Sequence, residues 1–247
     1  MAAYDFRAHR IFVDAALAAG QTLALERDPS HYLLNVLRMQ EGDRFLVFNG
    51  RDGEFLARIG KGSKKAAAAE IAEQTRPQPA PGDLHYLFAP LKHARLDYML
   101  QKAVEMGASR IQPVVTRHTQ VSRVNIERMR ANVVEAAEQC GVLCVPEVAD
   151  EVRIDRLLGD WDPSRLMIFC DEDAEVADPL SALRGVEPGP AAILIGPEGG
   201  FSPEERAQLL RLPRLLRLSL GPRILRADTA AVAALALVQA TLGDWRS

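Results

Sequence analysis

The chain has 247 residues, enough for one large domain or two smaller ones. With 48% hydrophobic and 26% charged residues it reads as an ordinary globular protein, and no apolar run is long enough for a membrane-spanning helix, which excludes that class. A formal net charge of −3 argues against generic coating of nucleic acid. The charge is unevenly spread, however. Pro90 to Arg130 carries eight basic residues against three acidic ones, whereas residues 131–190 carry four against fourteen. A basic segment on an acidic chain suits a localised polyanion contact, although any one of these charges reads first as a solvated helix face. Cys140, Cys144 and Cys170 have neither metal-site spacing nor a disulfide-framework count, so reduced thiols and no metal site are expected. The N-terminus has no signal-peptide core, which makes the expected location cytoplasmic.

In chain order, residues 1–75 predict short strands at Arg10–Val13, Thr22–Leu25, Arg44–Phe48 and Glu54–Ile59, with a further one over Ala66–Gln74. Turn signals such as Glu41-Gly42-Asp43 and Asn49-Gly50-Arg51-Asp52-Gly53 separate them. One helix is predicted over Ser30–Met39 with Ser30 as N-cap. This pattern means a small β-barrel-like domain. Residues 76–83 hold three prolines in eight positions and read as a linker. From 84 to 247 strands and helices alternate, the mark of a parallel α/β sheet. Strands are predicted at Leu84–Ala89, Arg110–Val115, Leu166–Cys170, Ala191–Ile195 and Leu215–Leu220. Helices are predicted at His93–Met106 (ended by Gly107), Val124–Gln139, Val152–Leu158, Ala177–Arg184 and Asp228–Leu242, the last capped by Asp228 or Thr229.

Two strand-to-helix turns stand out. Ala191–Ile195 breaks into Gly196-Pro197-Glu198-Gly199-Gly200-Phe201-Ser202, with Ser202 as N-cap and Pro203 in the first turn of a helix. Leu215–Leu220 breaks into Gly221-Pro222-Arg223-Ile224-Leu225-Arg226. One Gly-Pro turn is ordinary punctuation. Two in succession, at the carboxyl ends of strands expected to be neighbours, point to a ligand crevice. Neither turn carries a phosphate-loop or dinucleotide fingerprint.

Leu194 to Ser202 and Leu218 to Ala230 resemble the paired signatures of the RsmE family. The resemblance extends through Lys92-x-x-Arg95-x-Asp97, Lys102-x-x-Glu105-x-Gly107, Ile111-x-Pro113 and Glu135-x-x-Glu138-Gln139-Cys140-Gly141, and through the N-terminal signature His31–Arg38 with Gly42-Asp43. Members are methyltransferases that modify N3 of a uridine in 16S rRNA of the small ribosomal subunit. They belong to the SPOUT superfamily, whose chain forms a deep trefoil knot around S-adenosylmethionine. The resemblance implies a PUA-like RNA-binding domain over 1–75, a SPOUT α/β knot domain over 84–247, and a homodimer built on the Ala-rich terminal helix. One departure is clear: Val142 follows Gly141 where relatives commonly carry arginine. A milder one is Asp228, where relatives often have glutamate.

The resemblance implies cofactor contacts on two sides. Leu194, Ile195, Gly196, Pro197, Glu198 and Gly199 form one side; Leu218, Ser219, Leu220, Gly221, Arg223, Ile224, Leu225, Thr229 and Ala230 form the other. RNA contacts are expected at Arg7, Arg10, Arg38, Lys92, Arg95 and Arg117. Uracil N3 must lose a proton before or during attack on a methyl group, so the site needs a base or stabilisation of the developing anion. Arg226 is expected in the second role, since a guanidinium stays charged and offers several donors. The proton acceptor stays open between Glu198 and Asp228. A non-catalytic RNA-binding protein that retains the cofactor fold is the alternative reading.

Overall fold

The computed structural model describes residues 8–63, 66–121, 123–174 and 178–246; Arg7, expected to contact RNA, and Ala177, expected to open a helix, lie outside them. The chain divides into two compact units, residues 1–80 with 137–145, and residues 81–136 with 146–247.

The first unit holds β1 (Arg10–Phe12), β2 (Thr22–Ala24), β3 (Arg44–Phe48), β4 (Glu54–Ser63) and β5 (Ala66–Arg76) in one sheet of order β1-β3-β4-β5-β2. β1 runs parallel to β3, and the other pairs are antiparallel. Along β5, Ala67, Ala69 and Ile71 point inward, the period-two alternation of a half-buried strand. They join Leu33, Phe45, Val47, Ala57 and Ile59 in one core. Arg76, expected to open the linker, is instead the last residue of β5.

The helix expected from Ser30 begins earlier, as α1 (Arg27–His31), and continues as a single π turn over Tyr32–Val36. Pro29 explains the shift: it lacks an N–H and has its φ pre-set, so it belongs in a first turn. Ser30 is therefore no N-cap. It is buried, and its hydroxyl donates to the Leu25 carbonyl and accepts from the Ala67 amide.

The phosphate contact expected at Arg10 is also corrected. Arg10 is only 6% exposed, and its Nε lies 2.6 Å from the carboxylate of Glu54, itself 3% exposed. Arg76 Nη2 meets the same oxygen at 2.6 Å and Thr75 Oγ1 donates to the other at 2.9 Å. Burial pushes the Glu54 carboxyl up, but the bonds from Arg76, Arg10 and Thr75 outweigh it and hold the group below its usual range. Arg76 also reaches the Gly141 carbonyl at 3.1 Å, and Glu138 Oε1 accepts from the Phe12 amide at 2.8 Å. The Glu138-to-Gly141 motif thus completes the first unit.

The second unit is a seven-stranded sheet. Its strands are β6 (Leu84–Phe88), β7 (Arg110–Val115), β8 (Glu147–Val148), β9 (Val152–Arg153), β10 (Leu166–Cys170), β11 (Ala191–Ile195) and β12 (Leu215–Leu218). The order is β12-β10-β11-β6-β7-β8, with β9 beside β7, and every pairing is parallel. The helices are α2 (His93–Glu105), α3 (Ile126–Cys140), α4 (Ile154–Gly159), α5 (Pro179–Arg184), α6 (Pro203–Leu209) and α7 (Ala227–Thr241). The short helix expected from Val152 starts only at Ile154, because Val152 and Arg153 pair with β7. The expected strand Leu215–Leu220 stops at Leu218. Ala231, Ala234, Leu235, Val238 and Gln239 form the buried face of α7, which packs on α2, α5 and β11. Among the described residues no helix is long and apolar enough to cross a membrane.

Two outcomes test this packing. Glu54→Ala leaves Arg10 buried without its carboxylate, so it should cost about 3–5 kcal/mol in urea unfolding, and Arg76→Ala, with a side chain 20% exposed, should cost less. His85, on β6, is pushed down to about 4 by burial and by the Arg165 charge. An unfolded histidine titrates near 6.5, so between those values the unfolded chain binds the extra proton. Stability from this group is complete above that window and is lost as pH falls through it. His85→Asn should narrow the gap between melting temperatures measured near neutral pH and in mild acid; an unchanged gap removes His85 from the acid response.

Candidate active site

Parallel pairing brings the carboxyl ends of β12, β10, β11, β6 and β7 to one edge. Leu218 pairs with Cys170, Leu194 with Phe169, Ile195 with Phe88 and Phe88 with Pro113. The two Gly-Pro turns leave from this edge but not from adjacent strands, because β10 lies between β11 and β12. The expected neighbouring pair is thus corrected to a three-strand edge.

The first residue beyond β10 is Asp171, which sequence reasoning passed over. It is 4% exposed. One oxygen accepts from Arg206 Nη2 at 2.8 Å and from Arg217 Nε at 2.7 Å. Arg206 stands on α6, the helix after the first turn, and Arg217 on β12, the strand before the second. One buried carboxylate therefore ties the supports of both turns together. The signal in the sequence was its position alone, immediately after an apolar run at the ligand edge of a parallel sheet.

The first turn is tightly built. Ser202 caps α6, as expected, and also forms a reciprocal capping box with Glu205. A Cβ on Gly196 would approach the Phe201 ring to 2.5 Å, so any larger residue there must displace that ring. Glu198 is exposed but occupied: Arg95 Nη1, an expected RNA contact, lies 2.6 Å from its Oε1. His118, after β7, places Nδ1 3.0 Å from the Gly199 carbonyl and 3.1 Å from that of Gly200. Sequence reasoning missed His118, since its partners lie about eighty positions away.

The second turn is open. Gly221 adopts φ +102° with nothing within 4 Å of a would-be Cβ. Arg223 and Arg226 are exposed, and Ile224 is 99% exposed. α7 starts at Ala227 with Arg226 as N-cap, so neither Asp228 nor Thr229 holds that position. The Asp228 carboxylate instead accepts from the Thr229 amide inside the first turn. Leu194, Ile195 and Leu218 are buried strand ends; Pro197, Ser219, Leu220, Leu225 and Ala230 are partly buried; Gly199 and Thr229 are exposed.

A cleft of about 330 Å³ opens beside the first turn, lined by Leu91, Lys92, Arg95, His118, Gln120, Val121, Pro197 and Glu198 among others. A second cavity of about 400 Å³ lies by α6, with Arg117, Arg153, Asp155 and Glu205 in its wall. Neither is lined by residues of the second turn. Of the expected RNA contacts, Lys92 and Arg117 are exposed in the second unit and Arg38 in the first. Arg38 holds φ +56°, a left-handed conformation uncommon away from glycine.

Burial and the Asp171 charge push the Cys170 thiol up to about 12, away from the reactive thiolate form. Among the described residues no group of three or more His, Cys, Asp or Glu is placed to hold a metal ion. The two turns fit an organic cosubstrate such as S-adenosylmethionine better than a metal: they offer backbone at close approach, apolar strand ends and an exposed isoleucine.

Comparison with known proteins agrees with this geometry. An RNA methyltransferase domain family matches residues 78–239, and an RNA methyltransferase PUA domain family matches residues 25–72. The ribosomal RNA small subunit methyltransferase E of Rickettsia conorii is 33% identical over 94% of this chain and 95% of its own. The enzyme of that name from Neisseria gonorrhoeae, solved bound to S-adenosyl methionine, superposes with a TM-score of 0.87 at 28% identity, covering 97% of this chain and 100% of that one. A Legionella pneumophila protein described as a methyltransferase, in complex with the cofactor SAM, superposes at 0.86 with 31% identity over 96% of this chain and 99% of that one. The domain match and the near-full-length identity together show that this chain belongs to the ribosomal RNA small subunit methyltransferase E family.

Proposed function

We propose that the chain transfers a methyl group from S-adenosylmethionine to N3 of a uridine in 16S rRNA of the small ribosomal subunit. The observation that carries this reading is the pair of Gly-Pro turns held at one sheet edge through Asp171, in a member of a methyltransferase family. S-Adenosylmethionine supplies the electrophilic methyl group. The protein's main task is then alignment of donor and acceptor. Backbone of Gly196–Gly199 on one side and of Leu218–Leu225 on the other forms the cosubstrate cradle, with Thr229 and Ala230 closing it. Arg226, exposed at the N-cap of α7, stabilises negative charge that builds on the uracil ring. A base buried in RNA structure must be extruded to reach such a site.

Residues 1–75 act as the RNA-binding module and 84–247 as the methyltransferase domain, with the second turn and α7 drawn into a trefoil knot. Lys92 and Arg117, with Arg38 on the first unit, contact phosphate; the strained φ of Arg38 favours a functional role there. The working form is a homodimer in the cytoplasm. Two features support the dimer: Ile224 is 99% exposed, and the face of α7 bearing Val232, Ala233, Ala236 and Leu237 is apolar yet only half-buried.

The test is transfer of labelled methyl to small ribosomal subunits that lack this modification, with the nucleoside identified by mass. Label in 3-methyluridine is expected. Arg226→Ala should lower transfer by about 10²-fold or more while S-adenosylhomocysteine still binds. Cosubstrate binding without transfer by the parent chain would support a non-catalytic RNA-binding protein instead.

A further inference from the structure

We infer that His118 is the catalytic base that removes the N3 proton, an assignment that rests on the proposed uridine substrate. Nδ1 faces two backbone carbonyls, Gly199 at 3.0 Å and Gly200 at 3.1 Å. A carbonyl oxygen only accepts, so Nδ1 carries the hydrogen and donates it to both. A neutral imidazole with hydrogen on Nδ1 has its lone pair on Nε2. Among the described residues Nε2 meets no partner, and the ring is exposed in the wall of the 330 Å³ cleft. Thr119 secures the short turn that carries it: its hydroxyl accepts from the Thr116 amide at 2.8 Å.

The rival acceptors are already engaged. Glu198 is ion-paired with Arg95 at 2.6 Å. Asp228 already accepts the Thr229 amide at the start of α7. The cleft meets the first turn at Pro197 and Glu198 and carries Gln120, whose amide can donate to a heterocycle's carbonyl oxygen. An extruded uracil seated there meets an unshared pair on Nε2. In the step, Nε2 takes the N3 proton and the freed electron pair forms the N–CH₃ bond. The methyl–sulfur bond breaks with its pair left on sulfur, and the imidazolium later returns the proton to water.

Two readings test this. In the full-length protein free of ligand, nitrogen NMR should find Nε2 of His118 unprotonated and Nδ1 protonated; hydrogen on Nε2 instead overturns the assignment. His118→Asn keeps an amide donor for the two carbonyls but has no basic nitrogen to take the proton. It should bind S-adenosylhomocysteine like the parent, transfer methyl about 10²-fold more slowly or worse, and His118→Ala should regain transfer with added imidazole. Transfer by His118→Asn within about threefold of the parent excludes His118 while leaving the proposed function intact. No transfer by the parent itself overturns the proposed function, and this assignment with it.

Discussion

The Asp171 carboxylate is the constraint on which the site depends. A buried charge is costly unless it is paired and hydrogen-bonded, and this one is bound by two guanidinium groups and by the Asp173 amide. Its two arginines come from the elements that carry the two Gly-Pro turns, so neither support can shift without exposing uncompensated charge. The strand beneath Asp171 lies between the strands that feed the turns. Loops that must present backbone to a small ligand gain their precision from such a frame, because the turns themselves contain little that is buried.

A second buried carboxylate does the equivalent work in the first unit. Glu54 holds Arg10 and Arg76, and Arg76 reaches on to Gly141. Glu138 and Gly141 thus have a structural use within that unit. Val142 follows Gly141 directly and is half-buried.

Local patterning carried much of the fold. β3, β7, β10 and β11 occupy the residues that their apolar runs and flanking turn signals predict. Ser202 and Pro203 mark the start of α6 because a cap and a first-turn proline are purely local. What escaped was non-local. Strand order in a parallel sheet is set by crossovers, so nothing between 191 and 220 reveals that β10 separates β11 from β12. Arg10 reads as a surface cation until Glu54, forty-four positions on, is folded against it. The α1 boundary moved because Pro29 outweighed Ser30, a competition between two local rules that favoured ring geometry over capping. At the site, the turns and their glycines were legible, while Asp171, His118 and the Arg95–Glu198 pair were not, since each is defined by a partner far along the chain.

A shared cosubstrate site requires both turns to respond to one ligand. Hydrogen–deuterium exchange of the full-length protein, with and without S-adenosylhomocysteine, reads that response. Protection of the amides of 194–201 and of 218–230 together is the result expected. Protection confined to one turn, or to residues around the cavity by α6, would contradict the account.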